Sequence, residues 1–267
     1  MKPSPADSRK KTALITGASS GIGAELSRLF AADGVSLVLV ARGKEQLGGL
    51  AEELRTRHGV DVAVIPKDLS RPESAGEIID ALQSMGLSVD ILVNNAGFNV
   101  YGPFAETGLA DELALLQLCA VTPTQLMKFL LPPMLLRGFG RIVNIGSTGS
   151  FVPGPLNSVY CAAKAYLLSI SEAVHTELKG SGITVTAVCP GATESGFASR
   201  AGMTDIRLFR RRTMSSQTVA RAAYRALRKQ ERVVIPGLSN RLAVFATRFA
   251  PRFIILKYAR FIMGRRS

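Results

Sequence analysis

Cysteine is scarce: the 267 residues contain three, Cys119, Cys161 and Cys189. An odd number, far apart and without a CxxC pair, argues against a disulfide framework and fits a reduced, cytoplasmic compartment. Histidine is scarcer still, only His58 and His175. That argues against a histidine-based metal site and leaves both residues for helix surfaces; no metal is expected. Long apolar runs are missing too, for no uncharged apolar stretch reaches the roughly 18 residues of a membrane-spanning helix. The N-terminal MKPSPADSRKK carries charges and prolines but no apolar h-region, so residues 1–10 read as a solvated tail rather than a signal peptide. Acid is absent most unevenly. Residues 1–199 hold 18 Asp and Glu against 16 Lys and Arg, whereas residues 200–267 hold two against 17, so the chain's +13 arises in its last quarter.

What is present is 47% apolar content, enough for one sizeable core. Apolar runs of strand length, TALIT (12–16), SLVLV (36–40), VAVIP (62–66), DILVNN (90–95), RIVNIGS (141–147), TVTAVCP (184–190) and RVVIP (232–236), alternate with longer helical stretches. Those helices are expected near 21–33, 43–57, 72–85, 109–136, 157–179 and 216–230. Near-continuous Val/Ile/Leu strands separated by helices predict a parallel sheet covered on both faces. The expectation is an α/β, doubly wound (Rossmann) domain of seven strands over residues 11–236, followed by a basic helical extension over 237–267.

After the first strand, TGASSGIG places Gly17, Gly21 and Gly23 at the entry to a helix, with Ser19, Ser20 and Ile22 between them. Glycines here let the backbone turn sharply and approach a ligand, while the helix N-terminus offers free N–H groups to a pyrophosphate. The second strand ends in Ala41 and Arg42, with no acid until Glu45. An arginine suits a 2′-phosphate where an acid would suit a ribose hydroxyl, so NADP(H) is expected over NAD(H). At the next strand ends stand Asp68 with Leu69, and Asn95, Ala96 and Gly97 of NNAG. Asp68 either accepts from an adenine amino group or caps the following helix. The paired asparagines read as a polar turn or as a polar structural element.

Ser147 ends the fifth strand run, and SVYCAAKAY follows with Tyr160 and Lys164. Residues i and i+4 share a helix face, so the phenol and the ammonium point at the same bound molecule. A nearby cation favours the phenolate, which makes Tyr160 a candidate acid/base with Ser147 polarising a carbonyl.

TGASSGIG, NNAG, Ser147, YCAAK and PGAT (190–193), in this order and spacing, resemble the short-chain dehydrogenase/reductase family over about residues 10–236. The resemblance implies an NADP(H)-dependent oxidoreductase in which Tyr160 moves the proton and Ser147 orients the substrate oxygen. Lys164 would hold the nicotinamide ribose and lower the tyrosine pKa. Pro190, Gly191 and Thr193 would contact the nicotinamide end. One position departs from the pattern: where the family usually carries an asparagine on the long central helix, LLQLCAVTP presents Cys119. A thiol is a weak donor and acceptor, so a slowed enzyme is expected.

Loops GFNVYGPF, GSFVPGPL and GFASRAGM carry Phe98, Tyr101, Phe104, Phe151, Val152 and Phe197, which either line an apolar pocket or lie as core beneath the loops. A pocket would take a hydrophobic ketone, aldehyde or alcohol, lipid-like, steroid-like or aromatic. The tail beyond residue 237 predicts two short helices split at Pro251. Its basic, apolar second helix either lies on an anionic membrane or packs on its own domain or a second subunit. The alternative to an enzyme is a catalytically weak NADP-binding sensor or scaffold at a membrane surface. No nucleic-acid motif accompanies the basic region, so no specific nucleic acid is expected. By resemblance, the helices near 109–136 and 157–179 would pair subunits into a homodimer or homotetramer.

Overall fold

Residues of a buried parallel strand alternate between two covered faces, so both sets must be apolar. In β1 (Thr12–Thr16), Ile15 enters one core and Leu14 the other; in β2 (Ser36–Ala41), Leu39 and Val38 divide in the same way. The computed structural model describes residues 10–194, 196–210 and 213–264; up to residue 9 the expected N-terminal tail lies outside the described residues. The sheet continues with β3 (Val62–Pro66), β4 (Ile91–Asn94), β5 (Gly140–Ile145) and β6 (Ile183–Val188). A short pair, β7 (Thr193–Glu194) and β8 (Met214–Ser215), stands apart, and β9 (Val233–Val234) returns to the main sheet. The order is β3-β2-β1-β4-β5-β6-β9, every pairing parallel. The seventh strand is shorter than RVVIP predicts, because only Val233 and Val234 find partners, in Ala187 and Val188.

On one face lie α1 (Gly21–Ala32), α2 (Lys44–His58) and α9 (Ser216–Lys229), burying Leu26, Phe30, Leu47, Leu54 and Ala223. On the other lie α3 (Ser74–Ser84), α5 (Thr122–Arg137) and α6 (Ser158–Glu177), with Ile78, Leu126, Leu130 and Met134. The strand order reverses between β1 and β4, the switch point outside whose carboxyl ends sheets of this kind bind their ligands.

The single helix expected near 109–136 is interrupted. It runs as α4 (Leu109–Leu116), a π-turn over Gln117–Val121, and α5. Pro123 has no N–H to give the Cys119 carbonyl, the acceptor an α-helix would assign to it. The ladder widens there, and the Thr122 N–H reaches back five residues to the Gln117 carbonyl. By length and composition alone the 29-residue run Leu109–Arg137 is apolar enough to cross a membrane. Its Leu115, Leu126, Met127, Leu130 and Met134 are instead buried within the domain. Beyond the sheet come α7 (Phe197–Arg200) and α8 (Arg207–Arg210), and the two expected C-terminal helices, α10 (Leu238–Ala246) and α11 (Arg252–Met263), with Pro251 as the N-cap of the second.

Candidate active site

The glycine turn is built for close approach. Gly17 has φ +64°, and a Cβ there would lie 2.8 Å from the Asn95 side-chain nitrogen; a Cβ on Gly23 would lie 2.3 Å from the Gly17 carbonyl oxygen. Only glycine fits at either position. Ser20 takes the N-cap of α1 without using its hydroxyl as a cap, so the leading N–H groups of the helix remain available to an anion. Ser19 and Gly21 are half-buried beside it, and Ile22 packs against the core.

Asn95 holds this turn in place. Its side-chain N–H donates to the carbonyls of Thr16 (2.9 Å) and Gly17 (3.2 Å), while the backbone N–H groups of Asn95 and Ala96 donate to the Thr16 hydroxyl. The NNAG pair is therefore a polar structural element. Arg42 is exposed just past the end of β2, with Asp68 past the end of β3. Burial raises the Asp68 pKa, but hydrogen bonds from the Ser70 hydroxyl and N–H, with the Arg42 and Arg71 charges, outweigh it and hold the carboxyl below its ordinary value. Its side chain thus caps the turn locally through Ser70. Leu69 is buried, and its carbonyl accepts from the Thr122 hydroxyl at 2.9 Å.

Ser147 lies two residues beyond β5 and caps a short 3-10 turn over Thr148–Phe151 through a 3.0 Å bond from the Gly149 N–H. Tyr160 and Lys164 sit one turn apart near the start of α6. The Lys164 ammonium is 5.7 Å from the Tyr160 ring centroid and donates to the Ile145 carbonyl at 2.8 Å; the side chain is almost wholly buried. Cys119 joins them from the π-turn. A Cβ on Gly97 would meet its sulfur at 3.6 Å and the Lys164 nitrogen at 3.7 Å, so thiol, ammonium and NNAG glycine converge.

One electrostatic expectation is reversed. Burial of the phenol, reinforced by the neighbouring Cys119 sulfur, pushes the Tyr160 pKa far above its ordinary value, and the Ser147 hydrogen bond opposes this only in part. Burial likewise raises Cys161 to about 11 and Cys189 to about 12, so both are thiols at neutral pH. All three cysteines are buried and unpaired. Pro190 is buried and Gly191 half-buried, and the Thr193 hydroxyl donates to the Gly191 carbonyl at 3.0 Å.

The aromatic loop residues divide. The Phe197 ring lies 5.5 Å from the Tyr160 ring, and Val152 is half-buried nearby in sequence to Ser147. Phe98 packs with Leu115, Cys119 and Ala163 as well as Tyr160, Phe151 packs on Leu168 and Cys189, and Tyr101 on Met203 and Met263. Phe104 is 70% exposed. Of the histidines, His58 is exposed, but His175 braces α6 on β6 through a 2.7 Å contact with the Val185 carbonyl.

Beyond the asparagine pair that includes Asn94, the supporting residues Asn144, Ser171 and Asn240 were not singled out in the sequence. Asn94 donates to Asn144 (2.8 Å) and Asn144 to the Ser171 hydroxyl (2.8 Å), a buried relay from β4 through β5 to α6. The available signal was a polar residue inside each otherwise apolar strand run. Asn240 of α10 fills the space a Cβ on Gly191 would need, at 2.6 Å; no local pattern marks it.

Comparison with known proteins agrees with this geometry. The profile of the short chain dehydrogenase family matches residues 11–205. The ketoacyl reductase HetN of Nostoc sp. is 33% identical over 229 residues, covering 84% of this chain and 78% of that protein. A short-chain dehydrogenase from Sphingobium yanoikuyae, solved in complex with NADPH, is 37% identical with a TM-score of 0.80, over 88% of this chain and 92% of its own. The bulky-bulky ketone specific alcohol dehydrogenase of Comamonas testosteroni is 34% identical with a TM-score of 0.76, over 89% and 92%. A glycine cradle at the first strand, a serine, tyrosine and lysine gathered at the switch point, and this likeness over most of the chain lead to one assignment: the protein belongs to the short-chain dehydrogenase/reductase family, oxidoreductases that interconvert alcohols and carbonyl compounds.

Proposed function

We propose that the protein is an NADP(H)-dependent reductase of bulky hydrophobic ketones or aldehydes, lipid-like, steroid-like or aromatic. The observation that carries the reading is the convergence of Ser147, Tyr160 and Lys164 beside a tightly packed glycine turn that leads into a helix N-terminus with no side-chain cap. The residues present fit that cofactor. The turn Gly17 to Gly23 would take the pyrophosphate, with Ser19, Ser20 and Ile22 around it, and Arg42 the 2′-phosphate. Asp68 and Leu69 would border the adenine, Asn95 to Gly97 and Lys164 the ribose, and Pro190, Gly191 and Thr193 the nicotinamide. When bound, NADPH supplies the hydride to the carbonyl carbon.

The chain's own part is to orient the carbonyl and move a proton. The Ser147 hydroxyl polarises the carbonyl oxygen, and Tyr160 gives that oxygen its proton. A phenol held protonated by burial is in the form that can hand a proton to the carbonyl oxygen, the transfer that reduction requires. Phe197 against the Tyr160 ring supports an apolar substrate, as do the names of the Nostoc and Comamonas relatives. The same reading includes a homo-oligomer, a homodimer or homotetramer, through the exposed Leu109, Leu113, Phe129 and Leu136 of α4 and α5. It also includes a cytoplasmic setting with a peripheral membrane contact. The test is NADPH consumption against a panel of hydrophobic ketones and aldehydes. Tyr160→Phe should lower kcat/KM by roughly 10²- to 10⁴-fold while NADPH still binds. Wild-type protein that binds NADPH yet shows no Tyr160-dependent turnover would move the reading to a sensor or scaffold.

A further inference from the structure

The last two helices bury less of their apolar surface than their composition predicts. In α11 the stripe turned to the protein is Ile255, Ala259, Ile262 and Met263, and it packs beside Met203 and Ile206 of the loop segment between α7 and α8. At 100° per residue the opposite pole is Phe253, Lys257 and Phe261, flanked by Arg260 and Ile254, and all five are exposed. In α10, Asn240 and Val244 face inward. The outer stripe runs Leu238, Leu242 and Phe245 and continues to Phe249 in the following turn, with exposures of 72% at Leu238 and 74% at Phe249. Arg241 and Arg248 flank it, and the Phe245 and Phe249 rings pack 5.1 Å apart, edge to face.

Two consecutive helices therefore present aromatic and aliphatic ridges edged by four cations, and no acid occurs anywhere from residue 232 to the end. A patch of this kind marks an interaction site. We propose that the α10–α11 pair is a docking surface for an anionic phospholipid bilayer. Phenylalanines and leucines would enter the headgroup boundary, and the arginines and lysine would pair with phosphates. Charge complementarity selects this occupant over a second copy of the chain. A twofold contact sets the same patch against itself, so each cationic rim would meet another with no carboxylate on either helix to neutralise it.

The surface also connects to the substrate loops. The Tyr101 hydroxyl donates to the Met263 carbonyl, and an Arg207 guanidinium N–H donates to the Phe261 carbonyl at 3.1 Å with the guanidinium stacked over the Phe261 ring. A lipid-docked α11 would thus hold the loops around Tyr160 near the source of a hydrophobic carbonyl; this last step rests on the reductase activity proposed above, whereas the docking deepens only the membrane contact.

Full-length protein is sedimented with vesicles of phosphatidylcholine alone and with equimolar phosphatidylcholine and phosphatidylglycerol, at moderate and at high salt. Sedimentation velocity of the free protein runs alongside. Expected are strong pelleting with the anionic vesicles alone, weakening with salt, and a loss of about tenfold or more in Phe249→Ser/Phe253→Ser. The double variant should keep the wild-type melting temperature and NADPH affinity, since both side chains are solvent-facing and outside the cofactor crevice. Equal pelleting of variant and wild type, no pelleting, or equal pelleting with both vesicle types overturns the proposal. So does a variant that loses self-association while vesicles never bound the wild type, which identifies the occupant as a second copy. Vesicle binding is read without turnover, so an inactive reductase and a failed lipid surface give different results.

Discussion

At the scale of the residue, the informative position is Cys119. Its sulfur lies where the thiol, the Lys164 ammonium and the Gly97 backbone meet, and it raises the pKa of Tyr160. A thiol hydrogen-bonds weakly, so this corner offers a poorer partner to a proton on its way to or from the phenol than an amide would. Cys119→Asn, which sets an amide in a fully buried site, should raise kcat for ketone reduction by roughly 2- to 10-fold with little change in NADPH affinity. A steady-state comparison checks it; unchanged or lower kcat in a variant with wild-type melting behaviour would show that the relay does not use this side chain. The residue identities at this corner were legible from YCAAK and the upstream serine. The direction of the Tyr160 shift was not, because a lysine four residues away is visible in a string while burial is a property of the assembled surroundings. At Tyr160 burial wins.

At the scale of the element, the strands were readable because a strand covered on both faces must be apolar at every position, and that leaves an uninterrupted run. The central helix was readable in extent but not in form. Pro123 lies within an otherwise helical pattern, and whether its missing N–H ends, kinks or widens the helix depends on what the freed carbonyls meet. Here the ladder widens to a π-turn and Cys119 is brought to the site. The positioning of α6 was equally hidden, for it depends on contacts between distant segments: Lys164 on the Ile145 carbonyl and Ser171 receiving from Asn144. Asn144→Ala would leave the Asn94 amide without its buried acceptor and the Ser171 hydroxyl with only its own donation to the Leu167 carbonyl. The expected cost is about 2 kcal/mol or more, read as a fall of roughly 4–8 °C in melting temperature for a domain of this size. Because the same relay orients the helix carrying Tyr160 and Lys164, kcat should fall as well. A variant that melts normally would mean that the relay contributes little.

At the scale of the whole molecule, the basic last quarter is not a separate domain. Asn240 of α10 packs on Gly191, donates to the Pro236 carbonyl at 2.7 Å, and so ties the extension to the turn that follows β6. Met263 of α11 is buried in a small satellite cluster with Ala198, Met203 and Ile206, away from the two main cores. A satellite of four buried side chains opens more readily than the cores flanking the sheet, and the elements resting on it include the loop segment that carries Phe197. The sequence alone placed two helices after residue 237 but left their inner faces unassigned, since apolar residues occur all around α11 and only packing decides which stripe turns inward. Met263→Asp places a carboxylate in that satellite, and releasing the end of α11 is easier than burying the charge. KM for a hydrophobic ketone should then rise by roughly 3- to 10-fold, while NADPH affinity and the main unfolding transition change little. Limited proteolysis should cut first near residues 197–210. If NADPH affinity falls in step with KM, α11 supports the cofactor crevice as well as the substrate loops, and the extension is part of the main cooperative unit.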